Sequence, residues 1–322
     1  FCNGTETCNV TLGCQAGTAP NCADSVACTT DSCNEATDTC DHTPNNAVCD
    51  DGLFCNGAET CNVTLGCQAG TDPCGGAACD EGTDTCAGAE VWMSFNAATT
   101  VPVVGTAADE DIVAYNTSSG TWSLVFDGSD VGLSGFVIDG LARLSTGDIL
   151  LSFTVSGSVT GMTGGPSGTT LDDSDIVRFI PTSLGATTAG SFVFYFDGSD
   201  VGLTTDNEDV DAIALDSGGN LVVSTLGSFT ATGASGADED LIVFTATSLG
   251  SVTSGSFAVY FDGSDVSLTA TAEDVDAAAI VPTGEILLST EGSFSVPGAS
   301  GGDEDVFEFT PTTLGGTTSG TY

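Results

Sequence analysis

The sequence predicts an all-β chain in two parts. Residues 1–90 form disulfide-stapled repeats, and residues 91–322 form an antiparallel β-propeller-like repeat domain. Three observations carry this. All 14 Cys lie between Cys2 and Cys86. A Cys-rich motif recurs with a period of 53 residues. Beyond it, short Val-, Ile-, Phe- and Leu-rich runs alternate with Gly, Ser, Thr and Asp, and FDGSDV recurs at spacings of 70 and 65 residues.

The first part reads as follows. CNGTETCNVTLGCQAG at 2–17 returns as CNGAETCNVTLGCQAG at 55–70. Cys28, Cys33 and Cys40 follow the first copy, and Cys74, Cys79 and Cys86 keep the same spacing in the second. Dense, regular Cys in a loop-rich segment are the mark of a disulfide framework in an oxidising compartment. Zinc would need closer pairs or added His. Here the nearest Cys have four residues between them, and His42 is the single His, expected in an exposed loop. Cys22 and Cys49 lack counterparts, so a Cys22–Cys49 bridge between repeats is expected. Three bridges are then expected within each copy, with connectivity open. Phe1 aligns with Phe54, so the chain is expected to begin inside a repeat.

The second part shows strand patterns and no helical period. EDVDAIALDSGGNLVVST (208–225) reads as two strands, A and B, around a tight Gly turn. DEDLIVFTATS (238–248) is strand C, and GSFAVYFDGSD (255–265) is strand D. Four short antiparallel strands per unit of about 65 residues are a propeller blade. Blade one starts at strand B with VWMSF, blades two and three are complete, and blade four stops at Tyr322, where strand D should begin. A β-solenoid has shorter repeats and a sandwich needs about seven strands per domain. Trp92, Trp122, Phe126, Phe196 and Phe261 are expected in the core.

These motifs resemble known ones. AIALDSGGNLVVST is similar to the inner hairpin of many bacterial propeller repeats. The combination of DED, FDGSDVGL and EDVDA with the Cys repeat resembles large secreted bacterial repeat proteins whose functions are uncharacterised. The resemblance implies the architecture and an extracellular or cell-surface location. It carries over no catalytic residue.

Charge narrows the function. The chain has 45 Asp plus Glu against two Arg and no Lys, a formal net charge of −43. Phosphate neutralisation needs cationic groups, so nucleic acid is excluded as a partner, as is an anionic membrane surface. No apolar run of about 18 residues is present for membrane insertion. In antiparallel blades the starts of A and C share an edge with the ends of B and D. One face therefore collects the DED acids, with Asp109, Asp111, Asp173, Asp175, Asp238, Asp240, Asp303 and Asp305 as candidate ligands. The FDGSD acids Asp127, Asp130, Asp197, Asp200, Asp262 and Asp265 join them, as do Glu208, Asp209, Glu273 and Asp274 ahead of strand A. The opposite face, with the C–D loops, is expected to be nearly uncharged. Crowded carboxylates repel, and Ca2+, which takes about six to eight oxygens, relieves this. The expected arrangement is one Ca2+ per blade, between the D–A and B–C loops, with the FDGSD glycine letting the loop turn.

The propeller segment has no His, Lys or Cys, which removes the usual nucleophiles and bases. The acids repeat in every blade, so the sequence predicts no enzyme. Arg143 and Arg178 are expected to be local charge partners. What remains is an extracellular stalk, fibre or cell-surface component that associates with itself or with matrix components. The alternative is a Ca2+-dependent adhesin for a glycan.

Overall fold

The structure is a computed structural model, and it describes residues 1–70, 79–81, 85–86, 90–117 and 119–322. The chain divides into two compact units. One is Phe1–Ala89 with Asn116–Ser119, and the other is Glu90–Tyr115 with Gly120–Tyr322.

The first unit is built of short hairpins. Thr7–Asn9 pairs with Gly13–Gln15, and its repeat Thr60–Asn62 pairs with Gly66–Gln68. Asn9 and Asn62 shape the two turns alike. Each side-chain oxygen accepts the backbone N–H groups two and three residues on. Between them Thr29–Asn34 pairs with Thr39–Pro44. Glu35 accepts from the backbone nitrogens of Phe1 and Cys2, and Glu81 from those of Phe54 and Cys55, so both copies close in the same way.

The disulfides differ from expectation. Cys22 bonds Cys40, not Cys49, and Cys49 bonds Cys67. The expected Cys22–Cys49 bridge is therefore corrected. Cys2–Cys33 and Cys55–Cys79 are equivalent bridges inside each copy. Cys28–Cys61 joins the copies. Of the three bridges expected among the six remaining Cys of copy one, Cys2–Cys33 forms and the other two do not: Cys8 and Cys14 are free, Cys28 bonds Cys61 and Cys40 bonds Cys22. The expectation pairs the two cysteines that lack a counterpart. The fold matches them by which hairpin each strand lies against. Cys74 lies outside the described residues, as does the Cys86 side chain. His42 lies on a strand, with Nδ1 2.8 Å from Asp31 and 3.2 Å from Asp24. The ion pair, and not an exposed loop, sets its place. The Asp31 hydrogen bond raises its pKa.

The second unit is an all-β arrangement of four propeller blades. Blade one has three strands, Glu90–Met93, Ile112–Asn116 and Thr121–Phe126. Blades two to four are four-stranded in sequential order A-B-C-D. Their A strands are Ile138–Arg143, Ala212–Leu215 and Ala277–Ile280. Their D strands are Ala189–Phe196, Ser254–Phe261 and Ser319–Thr321. Each B–C connection also carries a small hairpin, for instance Phe229–Ala231 with Ala234–Gly236, which the sequence pattern did not reveal.

The core lies between blades. Alternation in AGSFVFYF turns Phe192, Phe194 and Phe196 inward. The last Phe of each D strand meets a C-strand Phe of the next blade edge to face. Phe126–Phe179 lie 5.1 Å apart, and Phe196–Phe244 and Phe261–Phe309 both 5.2 Å. All six rings are fully or almost fully buried, as core packing predicts. Trp92 and Trp122 pack at the margins of apolar clusters.

Candidate metal centre

Most of the repeated acids are used as hydrogen-bond acceptors within the fold. The last acid of each DED cluster braces the FDGSD corner of its own blade. Asp111, Asp175 and Asp240 each accept from the corner glycine nitrogen (Gly128, Gly198 or Gly263) at 3.0, 3.2 and 3.1 Å. The other oxygen of each accepts from a backbone N–H three residues earlier. Asp305 makes the second of these bonds, to the nitrogen of Gly302. The corner glycine has an ordinary helical φ near −65°, so it is not there to turn the chain. It is there for space. A Cβ on Gly128 would come within 2.2 Å of the Glu110 carbonyl oxygen, and on Gly263 within 2.4 Å of that of Glu239.

The FDGSD acids latch one blade to the next. Asp130, Asp200 and Asp265 each accept, at 2.9 Å, from the backbone nitrogen of a C–D turn threonine (Thr188, Thr253 or Thr318). The same three hydroxyls accept, at 2.9 Å, from the backbone nitrogens of Asp127, Asp197 and Asp262. Each of those aspartates takes the hydroxyl of the serine two residues on at 2.7 Å. The C–D turns therefore meet the acidic corners of the preceding blade, and the expected division into an acidic face and an uncharged face is corrected. Strand twist accumulates across a blade, so the outermost strands no longer run along the innermost ones.

Glu208 and Glu273 hold their own loops. Glu208 accepts from the nitrogens of Thr204, Thr205 and Thr230, and Glu273 from those of Thr269, Ala270 and Ser295. Burial pushes both pKa values up, but these hydrogen bonds outweigh it and the net shift is downward. Asp109, Asp173 and Asp238 contribute backbone carbonyls, which accept from Ile138, Val210 and Val275 of the next innermost strand. Asp303 is exposed.

That register identifies another set of acids. Since Ile138, Val210 and Val275 are equivalent, so are Asp139, Asp211 and Asp276, which follow them: Asp139 lies on the innermost strand of blade two, and Asp211 and Asp276 immediately precede those of blades three and four. Asp209 and Asp274 lie two residues before Asp211 and Asp276. Asp211 is 3% exposed, and neither of its carboxylate oxygens has a hydrogen-bond partner. Asp209 and Asp274 are as deeply buried, and each has one unpartnered oxygen, as does Asp276. Burial drives all five pKa values up, and the neighbouring carboxylates add to it. Asp139 rises to about 7, and Asp209 and Asp274 to about 8. Asp211 rises well above the carboxylate range, facing Asp274, Asp139, Asp276 and Asp209. Glu291 adds its charge beside Asp139, Asp274 and Asp276.

The donor set is oxygen only, which suits a hard cation and not a soft one. Among the described residues, no three propeller carboxylates bring oxygens within 4.8 Å of one another. Ca–O bonds of about 2.3–2.6 Å would demand such closeness of direct ligands. Water would therefore complete much of a shell in this geometry. Of the axial acids, the sequence singled out Asp209 and Asp274 as ligands. Asp139, Asp211 and Asp276 share one position ahead of strand A in the sequence, yet they are not among the ligands it singles out, because the pattern does not tell which acids of a cluster lack a hydrogen-bond partner.

Neither arginine is free. Arg178 pairs with Asp148, which Thr146 also supports, and the Arg143 guanidinium lies 5.0 Å over the Trp92 ring.

No family model matches the sequence, and no curated protein matches it. Solved structures do. The chain is similar to virginiamycin B lyase from Staphylococcus aureus at 11% identity, covering 88% of this chain and 69% of that one, with a TM-score of 0.26. A catalytically inactive variant of that lyase with quinupristin gives 11% identity, coverages of 89% and 71%, and a TM-score of 0.27. An extracellular domain from B. thetaiotaomicron gives 14% identity, coverages of 59% and 25%, and a TM-score of 0.26. The expectation that the chain is not an enzyme is corrected here, since a lyase is among the structures it resembles. At this level the likeness concerns the fold and transfers no activity. The disulfides fit a protein from an oxidising environment outside the cytosol. Among the described residues, no helix is long and apolar enough to cross a membrane.

Proposed function

We propose that the chain is an extracellular structural protein, part of a stalk, fibre or cell surface, whose propeller is stiffened by Ca2+ among its axial carboxylates. The observation that carries this is the Asp211 carboxylate, buried without a partner on either oxygen among four further acids, of which Asp209 and Asp274 are buried and Asp139 and Asp276 half-buried. A buried group of this kind costs stability unless it is protonated or paired. A divalent cation replaces the protons and ties three blades to one centre. The repeated inter-blade latches and the disulfide repeats support a load-bearing role.

The test is calorimetric titration of chelator-stripped protein with Ca2+, with melting temperatures alongside. The proposal expects saturable binding at about one ion per axial cluster rather than one per blade. Melting should rise as linkage requires, by about 2.7 kcal/mol of stabilisation at 100 times Kd. Asp211→Asn should remove most of the binding and leave the fold intact. Weak binding that salt abolishes, with no change in melting, would sink the proposal.

A further inference from the structure

The face of the Cys8/Cys14 hairpin differs from its repeat in one respect. In copy two, Cys61 and Cys67 stand directly opposite each other across the hairpin, yet they do not bond to each other. Counted from Phe1 and its counterpart Phe54, each reaches back into the preceding 53-residue period, Cys61 to Cys28 and Cys67 to Cys49. Asn46 of that repeat adds a third contact, its side-chain oxygen accepting from the Cys61 nitrogen at 2.9 Å. In copy one, Cys8 and Cys14 stand opposite each other in the same register, on a hairpin with the same Asn-shaped turn. Both thiols are exposed. Val10 is fully exposed, whereas its equivalent Val63 is 46% exposed.

We infer that this hairpin is a docking face for another copy of the same Cys repeat, held by two disulfides. Cys8 takes a thiol of the Cys28 type, and Cys14 one of the Cys49 type. The occupant is fixed by the pattern. A matching repeat presents those two thiols and an Asn46-type amide at the spacing already realised between copies one and two. Each bond joins two thiols as a disulfide and releases two protons and two electrons. The electrons pass to a disulfide oxidant of the glutathione or oxidoreductase class. Such a face lets Cys repeats stack in series, each adding two covalent links to the last.

The experiment adds one period, residues 1–53, ahead of Phe1 of the full chain, and refolds the product in reduced and oxidised glutathione. Disulfide mapping by mass spectrometry follows. The expected map shows the added copy's Cys28-type residue bonded to Cys8 and its Cys49-type residue bonded to Cys14. The exposed thiols at Cys8 and Cys14, titratable in the unextended chain, are lost. A Cys8–Cys14 bond would overturn the inference, as would both thiols staying titratable in the extended chain. Loss of Cys2–Cys33 and Cys22–Cys40 on extension would overturn it equally, because a matching repeat cannot disrupt the unit it caps.

Discussion

The two units are made from the same element, the short antiparallel hairpin, yet they hold themselves together by opposite means. Over residues 1–70 the buried apolar side chains are two cystine halves, Cys28 and Cys49, while Val10, Leu12, Val48, Leu53, Val63 and Leu65 face solvent. The propeller buries a Phe pair of the same geometry at each of three blade interfaces. A hairpin of three-residue strands has no room for a core, so its unfolded chain must be constrained covalently. Among the described residues, five disulfides close separations of 18 to 33 residues. Each contributes about 3 kcal/mol on a chain-entropy account.

The sharpest way to break this contrast is reduction, which carries the largest expected effect. A thiol reductant at neutral pH should unfold the Cys unit and leave the propeller folded. Both Trp residues lie in the propeller, so their fluorescence reports that unit alone. Hydrogen exchange should show residues 1–70 losing protection while Trp emission and its melting transition stay in place. A Trp shift on reduction would mean that the propeller depends on the staples, and the contrast would fail.

The second test asks whether the propeller is itself limited by its buried acids. Asp139, Asp209 and Asp274 have folded pKa values near 7, 8 and 8, against ordinary values of 3.8. Between about pH 4 and 8 the unfolded chain therefore holds fewer protons at these sites than the folded one. Stability must then fall as pH rises through that window and level off above it. Melting of the Trp signal in chelator at pH 5 and pH 8 should show this decline. Saturating Ca2+ should flatten it, since the cation takes the place of the protons. A chelated protein equally stable at both pH values would show that the axial acids are not held protonated by burial.

Much of the propeller was legible in the sequence, because repetition is visible to the eye and alternation in AGSFVFYF gives the core face directly. The blade order and the incomplete first blade follow from counting strands. The disulfide map was not legible. Its logic depends on which hairpins touch, and counterpart counting cannot see that. The acidic clusters were legible as a pattern and opaque as to purpose. Asp240 and Asp211 look alike on the page, but one accepts from two backbone N–H groups and the other has no hydrogen-bond partner and lies among the charges of four other carboxylates. The difference is set by strand register and twist, which place an oxygen toward a nitrogen in one case and toward the axis in the other.

The smallest effect concerns the latch, and it separates the three blade junctions. Thr253 is 3% exposed; its hydroxyl accepts from the Asp197 nitrogen and donates to the Gly250 carbonyl. Thr253→Val keeps the shape and the N–H that binds Asp200, but strands both partners of the hydroxyl. Unsatisfied buried groups of this kind cost about 1–3 kcal/mol, and in a unit of this size each kcal/mol lowers melting by about 2–4 °C. Thr188→Val and Thr318→Val remove the same two bonds. There the aspartates whose backbone N–H donates to the hydroxyl, Asp127 and Asp262, are only half-buried, whereas Asp197 is buried. Water can replace a lost partner at those two junctions and not at the central one. Melting should therefore drop most for Thr253→Val and less for the other two. Equal losses at all three would show that the latches act through geometry alone, independent of how deeply each junction is buried.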